Sequence, residues 1–347
     1  MLLRLRADLA DKDRAAILAE ARSLGYRAHA VGERGDLLEL IGRGAPEHRA
    51  RLTDLFGVAE VLDPGDAREL ALRPPGAEAR LVHVGPARFG VGHVSLVAGP
   101  CAVESEERTL EIAHAVRRAG GVLLRGGAFK PRTSPYSFQG LGEAGLDILG
   151  RVRAAVGIGV VTEVLDPRDV EAVAQVADML QVGARNMANY PLLREVGRAG
   201  VPVLLKRGFG ARVGELLGAA EYVLAEGNED VVLCERGVRG FDDVTRDVLD
   251  VGAVAHLSRA SSLPVVVDPS HAAGRSDLVR ALARAGLAAG ADGLLVEVHP
   301  EPGEARSDGA QAVSVEELER IAGDARALAE LDGRRLVTLE SESQSIP

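Results

Sequence analysis

The sequence predicts an α/β chain, a (β/α)₈ barrel preceded by a small α+β domain, on three observations. From residue 94 to residue 333 short apolar runs alternate with helical periodicities, the beat of repeated βα units. The first 72 residues instead follow a β-α-β-β-α-β order of their own. Nearly every ionisable group with catalytic potential lies just after one of the apolar runs in the larger part, where barrel enzymes build their sites.

Taken in order, residues 1–7 alternate as a strand and 12–24 have helical periodicity ending at Gly25. Residues 26–31 and 36–41 read as strands about a turn at 32–35, 46–56 as a second helix and 58–62 as a last strand. This is the ferredoxin-like arrangement. It carries no cluster able to do chemistry, and His29 and His48 read as ordinary histidines, so a regulatory or oligomerising role is expected. Residues 64–78, rich in Pro, Gly and charge, read as a linker with the boundary near Leu72. The expected organisation is 1–72 regulatory domain, 73–92 linker and hairpin, 93–333 barrel and 334–347 a frayed polar tail. Within the second segment, 81–84 and 89–91 flank Gly85-Pro86 as a hairpin able to plug one barrel end.

The barrel strands are expected at 94–98, 122–124, 160–164, 179–182, 202–205, 231–233, 264–267 and 293–296. Helical patterns include 106–119, 167–177, 213–226, 276–289 and 313–331.

Composition narrows the function. The chain has 347 residues, 46% of them hydrophobic, and its 41 Lys+Arg against 51 Asp+Glu leave a net charge of −10. That balance argues against a nucleic-acid surface, so any cationic cluster must serve a small anion. Arg4, Arg6 and Asp8 interrupt the first residues and no run resembles a membrane span. Two cysteines, Cys101 and Cys234, make no disulfide framework and fit a reducing cytoplasm. Only Lys12, Lys130 and Lys206 are lysine, so arginine is the default cation and a compact ammonium is used selectively.

Following the strands, the rim collects Cys101, Arg125, Glu163, Arg185, Lys206, Arg236, Asp268 with His271, and Glu297 with Asp308. One set, Cys101, His271, Glu297 and Asp308, combines a thiol, an imidazole and two carboxylates and suits a divalent transition metal. A second set, Arg125, Lys130, Arg185, Lys206 and Arg236, would repel itself unless a highly charged anion neutralised it. Phosphoenolpyruvate is such an anion, and other phosphorylated acids would serve equally. Cys234, inside an apolar run, reads as structural.

The motifs AGPCAVES (98–105), GGAFKPRTSPYSFQG (126–140), GVVTEVLDP (159–167), QVGARN (181–186), PVLLKRG (202–208), LCERG (233–237), VDPSH (267–271) and VEVHPEPGEARSDG (296–309) occur in that order. Together they resemble 3-deoxy-D-arabino-heptulosonate 7-phosphate synthase, in the barrel subtype with an N-terminal ferredoxin-like extension. The resemblance implies that Cys101, His271, Glu297 and Asp308 hold a divalent metal (Mn²⁺, Fe²⁺, Co²⁺ or Zn²⁺), and that Arg125, Lys130, Arg185, Lys206 and Arg236 bind phosphoenolpyruvate. It implies that Arg132, Thr133 and Ser134 take the phosphate of D-erythrose 4-phosphate, that Asp268 lies near the sugar hydroxyls or the metal, and that Glu163 lies near the attacking water. The implied reaction is an aldol-type condensation with loss of phosphate, in which the metal polarises the aldehyde and Lys130 protonates the developing alkoxide. A cytoplasmic homotetramer, opening the shikimate pathway under feedback inhibition by tyrosine or phenylalanine, is the corresponding expectation.

Departures from the pattern are Gly240 and Asp242 in place of Thr and Glu, Thr245-Arg246-Asp247-Val248 in place of Thr-Arg-Asn-Thr, and an altered 187–190 segment. None is expected to touch a ligand residue. Two alternatives remain: the sister 3-deoxy-D-manno-octulosonate 8-phosphate synthase, which the KPRTS segment disfavours, and a non-catalytic amino-acid-sensing barrel, which the complete residue sets disfavour.

Overall fold

The structure is a computed structural model that describes all residues except 7–8, 32–35, 43–44, 63–69, 75, 131–133, 135 and 340–347, and the side chain of residue 46. The chain divides into two compact units, Met1–Glu69 and Leu70–Pro347.

In the first unit, apolar residues on one face of each element bury a single small core. β1 (Leu2–Leu5), α1 (Asp11–Ser23), β2 (Arg27–Val31), β3 (Leu37–Ile41), α2 (Pro46–Thr53) and β4 (Val58–Leu62) follow one another. The sheet order β2-β3-β1-β4 with antiparallel neighbours is the ferredoxin-like topology. Leu3, Leu5, Leu38 and Leu40 of the sheet pack with Ile17, Ala21 and Leu52 of the helices. His29 is exposed, and His48 Nδ1 lies 3.2 Å from the Tyr26 hydroxyl.

The second unit opens with the hairpin β5 (Leu81–Val84) and β6 (Ala87–Gly90), followed by β7 (His93–Gly99), α3 (Glu106–Arg118), β8 (Leu123–Arg125) and α4 (Glu143–Val156). β9 (Gly159–Val164), α5 (Val170–Ala174), β10 (Met179–Val182), α6 (Tyr190–Arg198), β11 (Val203–Lys206) and α7 (Val213–Leu224) continue the alternation. β12 (Val231–Glu235), α8 (Val251–Ala260), β13 (Val265–Val267), α9 (Pro269–Ala273), α10 (Ser276–Ala288), β14 (Gly293–Glu297), α11 (Val315–Leu331) and β15 (Arg335–Leu336) complete it.

Strands β7 to β14 pair in parallel in chain order, and β14 returns to β7 with Leu295 opposite Val97. The result is a closed eight-stranded barrel. Strand side chains alternate between two cores, as the two-residue period requires. Val97, Leu123, Val161, Met179, Leu204, Val232, Val266 and Leu295, one from each strand, pack inside with Cys234. Their neighbours, such as Leu96, Leu124, Val160 and Leu205, pack against the helices. The hairpin adds Val82, Val84, Ala87 and Phe89 to the interior cluster, with Val337.

Two sequence expectations are corrected. The helix expected at 167–177 is a 3₁₀ turn at Pro167–Asp169 followed by the short α5, because the Asp166 side chain caps the turn by accepting from Arg168 N. Residues 334–339 are not tail: β15 pairs with β7, Arg334 donates to the Ala291 carbonyl at 2.7 Å, and Val337 is buried. The second unit begins at Leu70; within it Leu72 is bridged to Ser261, and Glu221 accepts from the backbone of Leu70 and Ala71. No helix among the described residues is long and apolar enough to cross a membrane.

Candidate active site

At the C-terminal end of the barrel four strands end on a charged residue: β8 on Arg125, β11 on Lys206, β12 on Glu235 and β14 on Glu297. All four are at least 96% buried. Burying such charges is costly unless each is paired, and the pairings define the site.

Cys101, in the loop after β7, lies beside Glu297 and Asp308, and donor atoms of the three lie within 4.8 Å of one another. The thiol donates to Asp308 Oδ2 at 3.0 Å and its sulfur is also 3.0 Å from Ser307 Oγ. Burial, then the Glu297 carboxylate, pushes this thiol up to about 12. Burial alone would raise Asp308, but the Cys101 hydrogen bond and the nearby His271 and Arg246 hold it at about 2. Asp308 is the one described non-glycine residue with positive φ, 53°, a conformation that aspartate tolerates better than most.

His271 stands just outside that triad. Its Nδ1 is 2.7 Å from Asp268 Oδ2 and its Nε2 is 3.5 Å from Glu297 Oε1. Burial depresses its pKa against the pull of Asp268 and Glu297. A carboxylate behind one ring nitrogen and an open opposite nitrogen is the orientation that metal-binding histidines use. Thiol, imidazole and two carboxylates therefore fit a divalent transition metal.

The cations are interlocked with these acids. Arg125 donates to Glu297 Oε1 at 2.6 Å, and its buried Nε has no acceptor. Lys130 Nζ donates to the Cys101 carbonyl at 2.9 Å. Lys206 Nζ lies 2.5 Å from Asp268 Oδ2, so Asp268 joins Lys206 to His271. Burial opposes ionisation of Asp268, yet His271, Lys206 and Arg125 hold its carboxyl well below the usual range. Both of its oxygens are engaged within the protein, Oδ1 accepting from His271 N. Arg236 is ion-paired to Asp247, so one departure from the family pattern does touch a proposed ligand residue, contrary to the sequence expectation.

Glu163 is buried with its carboxylate directly over Gly183, where an added Cβ would sit 1.9 Å from Oε1. Gly99, at φ 156°, lets the Arg125 carbonyl approach to the same distance from where a Cβ would be. Arg185 is exposed on a 3₁₀ turn, Ala184–Asn186. Ser134 is half-buried, while Arg132 and Thr133 lie outside the described residues.

Several supporting residues escaped the sequence reading. Gln311 donates to Glu297 Oε2 at 2.5 Å, and Ser270 Oγ accepts from Glu297 N. Arg207 bridges Glu235 and Asp250, and Phe209 carries the guanidiniums of Arg185 and Arg236 on its ring. Phe209 alone had a signal: it is an aromatic residue directly after Lys206-Arg207-Gly208 in a chain with 3% aromatics.

A model described as DAHP synthetase I family matches residues 81–332. The chain is 41% identical over 341 residues to phospho-2-dehydro-3-deoxyheptonate aldolase of Thermotoga maritima, covering 96% of this chain and 99% of the relative. It is 34% identical over 260 residues to 2-dehydro-3-deoxyphosphooctonate aldolase of Syntrophotalea carbinolica, covering 69% and 92%. The crystal structure of the Thermotoga maritima DAHP synthase superposes with a TM-score of 0.78 at 40% identity, over 96% of this chain and 98% of that one. A truncated form of the Thermotoga maritima 3-deoxy-D-arabino-heptulosonate 7-phosphate synthase superposes with a TM-score of 0.72 at 42% identity, over 77% and 98%.

Proposed function

The chain belongs to the DAHP synthetase I family, and from that premise we propose that it condenses phosphoenolpyruvate with D-erythrose 4-phosphate and water, giving 3-deoxy-D-arabino-heptulosonate 7-phosphate and phosphate. The observation that carries this reading is the interlock of a metal-type donor set with a cationic one through Arg125–Glu297 and Lys206–Asp268–His271.

In this reaction C3 of phosphoenolpyruvate bonds to the aldehyde carbon, water oxygen adds at C2, and the C2–O bond to phosphate breaks. Arg125, Lys206, Arg185 and Arg236 would bind and orient the enol phosphate, a positioning contribution. Lys130, buried with its ammonium on the Cys101 carbonyl, would give a proton to the oxygen left by C–C bond formation. Glu163, held in the space that Gly183 leaves, would orient the water. Asp268, with both oxygens engaged, is better suited to fixing His271 and Lys206 than to meeting sugar hydroxyls. Arg132, Thr133 and Ser134 are proposed for the sugar phosphate. Cys101, His271, Glu297 and Asp308 would hold a divalent metal, which when bound supplies Lewis-acid polarisation of the aldehyde oxygen.

The test is phosphate release from phosphoenolpyruvate with erythrose 4-phosphate or arabinose 5-phosphate, each with EDTA and with re-added Mn²⁺. Release that requires the four-carbon sugar and the metal supports the proposal. Preference for arabinose 5-phosphate supports the second reading, an octulosonate 8-phosphate synthase, which the 34% identity to such a protein keeps in contention. For the first unit, inhibition by tyrosine or phenylalanine in a homotetramer is proposed. Unchanged rates with both amino acids would overturn that role.

A further inference from the structure

Three guanidiniums converge on one aromatic ring. Phe209 lies in the turn after β11, and the guanidinium carbons of Arg236, Arg239 and Arg185 stand 4.8, 5.3 and 5.4 Å from its ring centroid. A ring face attracts each cation but does not cancel the repulsion among them.

The three are not equivalent. Arg236 is buried and ion-paired to the equally buried Asp247, so its charge is largely compensated within the protein. Arg185 and Arg239 are exposed and, among the described residues, neither makes an ion pair. Arg239 is also held to Phe209 through the backbone, its N–H donating to the Phe209 carbonyl at 2.7 Å. Two uncompensated, pre-positioned guanidiniums beside a third are complementary to a phosphate monoester dianion, which accepts several charge-assisted hydrogen bonds at once.

Resting on the reaction proposed above, we infer that Arg239 is a further substrate-binding residue that acts with Arg185 on the phosphate of phosphoenolpyruvate, and that Phe209 is the positioning residue for both. The phosphoenolpyruvate phosphate is favoured over that of the sugar because this cluster follows β10, β11 and β12, whereas Ser134 lies in the loop after β8. In this arrangement Arg239 supplies the positive charge that Asp247 withdraws from Arg236.

The experiment is calorimetric titration of phosphoenolpyruvate into the Mn²⁺-loaded full chain, with steady-state KM and kcat for both substrates, on the wild type, Arg239→Ala, Phe209→Tyr and Phe209→Leu. Arg239→Ala is expected to weaken phosphoenolpyruvate binding about 10- to 100-fold and raise its KM likewise, leaving the KM for erythrose 4-phosphate within about twofold. Phe209→Tyr is expected to keep wild-type affinity, while Phe209→Leu, similar in bulk but without a π face, loses about tenfold. The inference is overturned if Arg239→Ala binds phosphoenolpyruvate like the wild type, if the KM that rises is that of erythrose 4-phosphate, or if Phe209→Leu and Phe209→Tyr behave alike. Absence of phosphoenolpyruvate binding by the wild type overturns the proposed reaction itself, and this inference with it.

Discussion

The two ends of the barrel solve opposite problems with the same strands. At the C-terminal end, Arg125, Lys206, Glu235 and Glu297 are buried as the last residues of their strands and must neutralise one another. At the N-terminal end, the β5–β6 hairpin and Val337 close the interior with apolar side chains, among them Phe89 at 0% exposure. The first arrangement sacrifices stability for chemistry, since apolar replacements of buried ion pairs are often neutral or stabilising. The second recovers stability through burial of apolar area. Substitutions at the two ends should therefore separate activity from stability.

The largest effect is expected at the functional end. Cys101→Ala should lower turnover by about 10⁴-fold or more, some 5 kcal/mol in the barrier, while the melting temperature stays near that of the wild type. Phosphate release alongside scanning calorimetry checks both halves, and near-normal turnover in metal-free buffer would sink the metal assignment. At the opposite end, Phe89→Ala should cost about 3–5 kcal/mol of stability with kcat per folded molecule unchanged. Urea unfolding combined with active-site titration measures it; a kcat that falls with the stability would mean that the two ends are not separable.

The N-terminal end carries carboxylates too, Asp178 and Asp292 among them. Asp292 accepts from Val265 N at 2.9 Å, and burial raises its carboxyl from 3.8 to about 6. A raised folded-state pKa in an acid means that the ionised form is disfavoured by folding. The cost is fully present above about pH 6 and is relieved as pH falls toward 4. Asp292→Asn should therefore be more stable than the wild type at pH 8 by up to about 3 kcal/mol, with the advantage vanishing near pH 4. Equal stabilities at pH 8 would show that Asp292 is solvated.

The same contrast explains what the sequence made legible. Strands β9 and β10 and most of the helices followed from apolar runs and periodicity, because burial on both sides of a barrel strand demands continuous apolar residues. The apolar criterion ended β8, β11, β12 and β14 too early, since their last residues are charged yet buried by pairing. β15 went unread for the reverse reason: Arg334 and Arg335 look like tail, but their guanidiniums satisfy the Ala291 carbonyl and His93. At the site, Cys101, Glu297 and Asp308, whose donor atoms lie within 4.8 Å of one another, were legible by type and by position after a strand. Residues that act through others, such as Asp247 on Arg236 and Ser270 on Glu297, were not, because nothing in their spacing marks contacts formed only when the ring closes.

Gln311 tests how far that supporting layer matters. Its side-chain amide is fully buried, donating to Glu297 Oε2 while its own oxygen lacks a partner, so it is retained at a cost that an apolar core residue would avoid. The compensation is orientation: with Arg125 on Oε1, Gln311 fixes the plane of the Glu297 carboxylate. Gln311→Leu removes one of the two restraints without altering the donor set. Metal affinity should fall about 10- to 100-fold, some 1.4–2.7 kcal/mol, with thermal stability of the metal-free protein unchanged or raised. Competition with a chromophoric chelator reads the affinity directly. A variant that binds Mn²⁺ as the wild type does, yet unfolds more easily, would make Gln311 a core residue that happens to touch the site, and would leave Arg125 as the restraint that matters.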